Sequence, residues 1–224
     1  MLKRKSGKEN NKYYSLCFYP FFGAFIGAAM YAFNVLCLHF GFGQACFALV
    51  GTVIPVLLGG VFHLKEFMKT TDKLCHADDS YGVIAGILYC MLYAGGLTVI
   101  WKDRQLVLLG IGYMISRALY SMAYVWFTEA ETEKKDDKAL SSIQKRALRV
   151  ILAVILAFCF CTCIVISPIM GALEALLCMW IWTYYYYLSK RVCGGITKEL
   201  SGYFLTLCEL AVVLFVGMFG RVLL

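Results

Sequence analysis

The stretch LRVILAVILAFCFCTCIVIS, Leu148 to Ser167, carries a single charge, Arg149, in twenty residues. A helix needs about 20 predominantly apolar residues to cross the hydrocarbon of a bilayer, so this run reads as a membrane span. Outward from it, comparable runs cover Tyr14 to Phe40, Gln44 to Phe62, Tyr81 to Trp101, Leu106 to Phe127, Ile169 to Leu188 and Ser201 to Leu224. Seven spans are the expected count, with Ser167-Pro168 marking either a division between two spans or the kink of a re-entrant hairpin. The whole chain agrees: 224 residues are 61% apolar and 16% charged, with a mean hydropathy of +0.73, whereas soluble domains sit near 45–50% apolar and about 25% charged. Too little polar surface remains for a sizeable soluble domain. The expected fold is an all-α polytopic membrane helix bundle. A polar tail, 1–13, precedes one transmembrane domain, 14–224, with cytoplasmic loops 63–80, 128–149 and 189–200.

Charge placement orients this arrangement. With the amino terminus inside, 17 of the 21 Lys and Arg residues fall in the tail and those three loops. Only Lys102, Arg104 and Arg221 lie on the far side and Arg117 within a span. Such a bias is the signature of cytoplasmic loops, and it accounts for most of the net charge of +7. The tail lacks the apolar core and cleavage site of a signal peptide, so the first span is expected to be retained.

Several features read as structural. Nine of eleven cysteines (Cys17, Cys37, Cys46, Cys90, Cys159, Cys161, Cys163, Cys178 and Cys208) sit inside apolar runs, where a thiol behaves as a small hydrophobe. There is no C-x-x-C pair, and Cys161 points away from the helical face shared by Cys159 and Cys163, a poor arrangement for a tetrahedral metal. The mixed-charge segment Thr128 to Arg146 reads as a solvated linker. Gly23 and Gly27 form a small-x-x-x-small pair suited to helix packing. Tyr184 to Tyr187 with Lys190 and Arg191 read as an aromatic belt and snorkelling anchors. No inverted repeat of the kind found in secondary carriers is visible, which leaves a small-solute transporter as the weakest class.

Polar residues with chemical potential are few. Arg117, Glu174 and Glu209 lie inside spans, where a charge costs about 2.5–3.5 kcal/mol on insertion scales and usually faces the bundle interior. They mark function or a structural ion pair, and sequence does not say which glutamate Arg117 meets. Phe62 to Leu74, FHLKEFMKTTDKL, places Lys65, Lys69 and Lys73 at i, i+4 and i+8, one cationic stripe on a helix, with Glu66 and Asp72 beside it. The stripe suits phosphate or anionic lipid headgroups. Ser189 to Gly202, SKRVCGGITKELSG, pairs basic residues with a Gly-Gly that serves as an anion nest or as a tight turn between helices.

At these residues the chain resembles the cobalamin synthase family, the membrane enzymes called adenosylcobinamide-GDP ribazoletransferases. The resemblance runs through YSLCFYPFFGAFIGA (Tyr14–Ala28), IPVLLGGVFHL (Ile54–Leu64), YGVIAG (Tyr81–Gly86), ISRAL (Ile115–Leu119) and, most specifically, GGITKELSGYFLTLCEL (Gly194–Leu210). It implies a bacterial inner-membrane, multi-pass protein that joins alpha-ribazole or its 5′-phosphate to adenosylcobinamide-GDP and releases GMP. Magnesium is the implied cofactor. Besides the two substrates, the expected partners are the lipid bilayer and other membrane proteins of cobalamin assembly, with no nucleic acid.

The sequence departs from the family on its polar loops. The family motif H-L-D-G-x-x-D-x-x-D corresponds here to His63, Leu64, Lys65, Glu66, Lys69 and Asp72, so two aspartates have become lysine; the Gly-Asp expected after Gly-Gly-Ile-Thr is Lys198-Glu199, and a stretch between His76 and Asp78 is missing. Carried over residue by residue, the resemblance implies His63, Asp72 and Glu199 as catalytic. It implies Glu66, Asp72 and Glu199 as magnesium ligands. Lys65, Lys69, Arg117, Lys190, Arg191, Gly194, Gly195, Thr197 and Glu209 would contact substrate. Two readings stay open: lysines that neutralise the diphosphate directly beside a weaker metal site, or an impaired homologue that binds corrinoid or a partner without turnover.

Overall fold

The computed structural model describes residues 2–59, 61–75, 80–100, 102–127 and 142–223. Within them the chain forms eight helices: α1 (Leu2–His39), α2 (Gln44–Gly59), α3 (Val61–Cys75), α4 (Ser80–Thr98), α5 (Asp103–Trp126), α6 (Ser142–Ile166), α7 (Pro168–Cys193) and α8 (Lys198–Leu223). Each of the seven expected apolar runs is helical over most of its described residues, the run from Gln44 to Phe62 being divided between α2 and α3. The basic tail continues the helix of the first span, since α1 begins at Leu2. Residues 128–141 of the expected linker, and the region 76–79 that holds His76 and Asp78, lie outside the described residues.

The protein is membrane-embedded: among the described residues five helices are long and apolar enough to cross a bilayer on their own, α1, α4, α5, α6 and α8. Two of the seven expected runs do not meet that length and composition on their own. Helix α2 has 16 residues, about 24 Å of helix against a hydrocarbon core of about 30 Å. It ends at Gly59, and α3 leaves at 91° to it, so the pair makes at most one broken span. Helix α7 is 26 residues long, but Glu174, Tyr184 to Tyr187, Lys190 and Arg191 dilute its apolar character. At the α6–α7 junction the proline divides two helices. Ser167 precedes α7 in extended conformation and Pro168 opens it, where a missing N–H costs nothing.

Helix α5 is the axis of the bundle, buried along most of its length and packed by α1, α6, α7 and α8. Its contact with α1 is backbone-close. Gly23 faces the Tyr113 carbonyl, and a Cβ built on Gly27 would lie 2.5 Å from the Gly110 Cα, so the Gly23/Gly27 pair packs helices as expected. Gly27→Leu is expected to overpack this seam at roughly 1–3 kcal/mol, read as a lower melting midpoint in detergent. Gly95→Leu on the open face of α4, where a Cβ meets nothing within 4 Å, should leave the midpoint unchanged.

Candidate functional site

Helix α3 positions most of the polar residues. Its Phe67 and Thr70 are buried, with Phe67 stacked on Tyr203 of α8 at 5.3 Å between ring centroids. That stacking turns Lys65, Lys69 and Lys73 outward, where all three are exposed. Helices α3 and α8 run antiparallel. Thr206 Oγ1 donates to the His63 carbonyl at 3.4 Å, a Cβ on Gly202 would collide with the Glu66 carboxylate, and Glu199 meets Lys69 and Lys73. Steps down α3 therefore match steps back toward the start of α8.

At the upper end of α3, His63 lies between two partners. Its Nδ1 is 3.2 Å from Glu66 Oε2, and its Nε2 is 3.2 Å from the Tyr19 hydroxyl on α1. A carboxylate only accepts, so Nδ1 carries a proton, and in the neutral imidazole Nε2 then presents its lone pair to the phenol O–H. Tyr120 closes the other side, its ring 4.9 Å from that of Tyr19 and 6.4 Å from the imidazole. Tyr19 and Tyr120 are absent from the expected site, because a tyrosine in a span reads from sequence as an interface aromatic.

Deeper in the bundle, Arg117 is fully buried. Its Nη2 lies 2.7 Å from Glu209 Oε1 at an angle outside hydrogen-bond geometry, and its Nη1 donates to the Tyr113 carbonyl at 3.2 Å. The guanidinium sits beside Gly59, at the α2–α3 bend. A narrow cavity there is lined by Gly59, His63, Tyr89, Arg117, Thr206 and Glu209. Arg117 thus pairs with Glu209. Glu174, equally buried, packs against Gly112 and has no hydrogen-bond partner among the described residues.

The expected magnesium set is not assembled. Glu66 faces His63. Asp72 Oδ1 accepts the Gly82 N–H at 2.6 Å, satisfying an otherwise unpaired donor in the first turn of α4. Glu199 has one oxygen 3.8 Å from Lys69 Nζ and the other against Lys73 Nζ. Among the described residues no group of three His, Cys, Asp or Glu side chains is placed to hold a metal ion. The donor set does not fit a resident magnesium, because lysines stand where a metal site needs acids.

The remaining expected residues take local tasks. Gly194 adopts a left-handed φ of +63° at the end of α7, and the Gly195 N–H reaches the Ser189 carbonyl at 3.0 Å, which closes that helix with glycine where a Cβ would be strained. Thr197 Oγ1 accepts the Leu200 N–H at 3.2 Å and so caps α8. Lys190 Nζ lies 4.4 Å from the centre of the Tyr186 ring, and Arg191 is exposed beside it. Lys73, seen in the sequence only as part of a stripe, joins Lys69 on Glu199.

Comparison with known proteins adds to this geometry. A family model described as cobalamin-5-phosphate synthase matches residues 3–217. The chain is 27% identical over 223 residues to the adenosylcobinamide-GDP ribazoletransferase of Lachnoclostridium phytofermentans, covering 92% of this chain and 84% of that one. It is 26% and 23% identical to proteins of the same name from two strains of Clostridium perfringens, each match covering 89% of this chain and 85% of the relative. No solved structure matches.

Proposed function

The chain belongs to the cobalamin-5-phosphate synthase family, a transferase family of cobalamin biosynthesis, and from that membership we propose that it joins alpha-ribazole or its 5′-phosphate to adenosylcobinamide-GDP with release of GMP. The observation that carries the reading is a match over residues 3–217, which takes in both α3 and the start of α8. It covers the polar face those helices build together. The surplus of Lys and Arg in the tail and loops supports an amino terminus in the cytoplasm of a bacterial cell, with the polar ends of α3 and α8 on the same side.

In this reading a ribazole hydroxyl forms a new P–O bond to the phosphorus on the corrinoid side of the diphosphate. The P–O–P bond breaks, and GMP leaves with the electron pair. Such transfer is mostly positioning and charge neutralisation. His63 Nε2 takes the hydroxyl proton, and Glu66 holds Nδ1–H and stabilises the imidazolium that forms. The Tyr19 O–H, already 3.2 Å from Nε2, marks where an alcohol oxygen stands and withdraws when substrate enters. Lys69 and Lys73 face the diphosphate. Magnesium is the cofactor the family resemblance implies; this chain's acids do not fit a resident ion, so no step is assigned to one.

The test is direct. The full chain in lipid nanodiscs, supplied with adenosylcobinamide-GDP and alpha-ribazole, is expected to release GMP in step with formation of the joined corrinoid, and neither substrate alone should yield it. Folded protein that binds both substrates and releases no GMP would overturn the reading.

A further inference from the structure

We infer that Lys69 and Lys73 of α3 form a metal-free cradle for the diphosphate of a nucleotide, occupied in the resting protein by the carboxylate of Glu199. The inference rests on the transferase reading for the identity of the ligand, and on side-chain geometry for the site. Lys65, Lys69 and Lys73 repeat every four residues on the exposed face of α3, about 6 Å apart along the axis. Two of the three converge on one anion that belongs to the protein itself. Glu199, in the first turn of α8, offers one oxygen to each ammonium.

Charge decides what this arrangement receives. On the exposed face the three lysines outnumber Glu199 and leave a net charge of two positive, while the carboxylates of Asp72 and Glu66, which keep their own charge, are turned to the Gly82 N–H and to His63. A divalent cation meets a positive face there. A diphosphate meets a complementary one, and ammonium groups bind phosphate as point charges without recruiting a metal. Displacing Glu199 is easy because Lys69 and Lys73 are 54% and 59% exposed and Glu199 is 33% exposed; ion pairs this open to water contribute little. Glu199 holds the cradle ordered until a more highly charged anion replaces it.

The two roles for Glu199 predict opposite signs. Binding of inorganic pyrophosphate and of GDP to the full chain in nanodiscs, measured by titration calorimetry in EDTA and again with excess magnesium, is expected to give dissociation constants within about twofold of each other. Glu199→Gln should tighten metal-free binding severalfold by releasing both ammonium groups. Lys69→Gln with Lys73→Gln should weaken it about tenfold or more, and Lys69→Arg with Lys73→Arg should restore most of it. Equal melting midpoints confirm that the variants fold. Binding seen only with magnesium, binding weakened by Glu199→Gln, or no binding in either condition would overturn the cradle. GMP release that fails while metal-free binding persists would sink the transferase reading alone, and magnesium-dependent release without metal-free binding would sink the cradle alone.

Discussion

Arg117→Ala is expected to cost about 3–5 kcal/mol of stability, the range for removing one partner of a buried ion pair, and for a chain of this size roughly 6–20 °C of melting midpoint. Arg117 is 0% exposed and its partner Glu209 is 6% exposed. Removing the guanidinium leaves a carboxylate beside a narrow cavity with no cation to face it. It also strips the Tyr113 carbonyl of a donor and empties space beneath the α2–α3 bend at Gly59. The charge should dominate the loss. Glu209→Gln on top of Arg117→Met, which keeps volume and removes both charges, is expected to recover most of the stability, because apolar replacement of a whole buried pair is often neutral or better. Glu174→Gln leaves the pair intact and should change the midpoint little. Differential scanning calorimetry in one detergent across these variants tests the assignment. A double variant no better than Arg117→Ala, or a larger loss from Glu174→Gln than from Glu209→Gln, would show that Arg117 is held by something other than Glu209.

What the sequence could and could not carry follows from the range of each interaction. Apolar runs are local, so all seven emerged as helical, one of them split between α2 and α3, and Gly23/Gly27 emerged as a packing seam because two glycines one turn apart have few other uses in a span. The break of α2 from α3 was hidden, since Pro55 and Gly59 in an apolar run read equally as a kink within one helix. The choice between Glu174 and Glu209 as the partner of Arg117 depends on the rotation of α7 and α8 about their axes, which no spacing rule fixes. Lys65, Lys69 and Lys73 were visible as a stripe, yet the residue that gathers two of them, Glu199, is 126 positions from Lys73. Asp72 shows the opposite failure. By family spacing it reads as a metal ligand, but its oxygen accepts the N–H of Gly82, a demand set by the start of α4 that only the packed structure displays. Gly194, Gly195 and Thr197 likewise read as a ligand nest or as a turn, and in the fold they serve helix ends.

His63→Gln is expected to lower kcat for GMP release by about 10²–10⁴, the usual contribution of a positioned general base, while KM and the melting midpoint move little. The side chain is at the end of α3 and half-buried, so its loss opens no core. Its effect should fall on the step in which the ribazole hydroxyl loses its proton. Glu66 acts through His63 and is a positioning residue, which predicts a graded series. Glu66→Gln keeps a group that can accept from Nδ1–H but removes the negative charge that stabilises the imidazolium, so its loss should be smaller than that of His63→Gln. In a double variant, Glu66→Gln should add almost nothing to His63→Gln, because groups that act as one unit are not additive. Gly202 supplies a second check, since a Cβ there collides with the Glu66 carboxylate: Gly202→Ala should push Glu66 from His63 and lower kcat as Glu66→Gln does. Tyr19→Phe distinguishes a placeholder from a proton carrier. If the phenol only occupies the substrate's position on Nε2, removing its hydroxyl leaves kcat near the parent value and lowers KM. A fall in kcat as deep as that of His63→Gln would mean instead that the proton travels through Tyr19. Equal, additive losses from His63→Gln and Glu66→Gln would show that the two residues do not work as a pair, and the base would have to be sought elsewhere on the α3–α8 face.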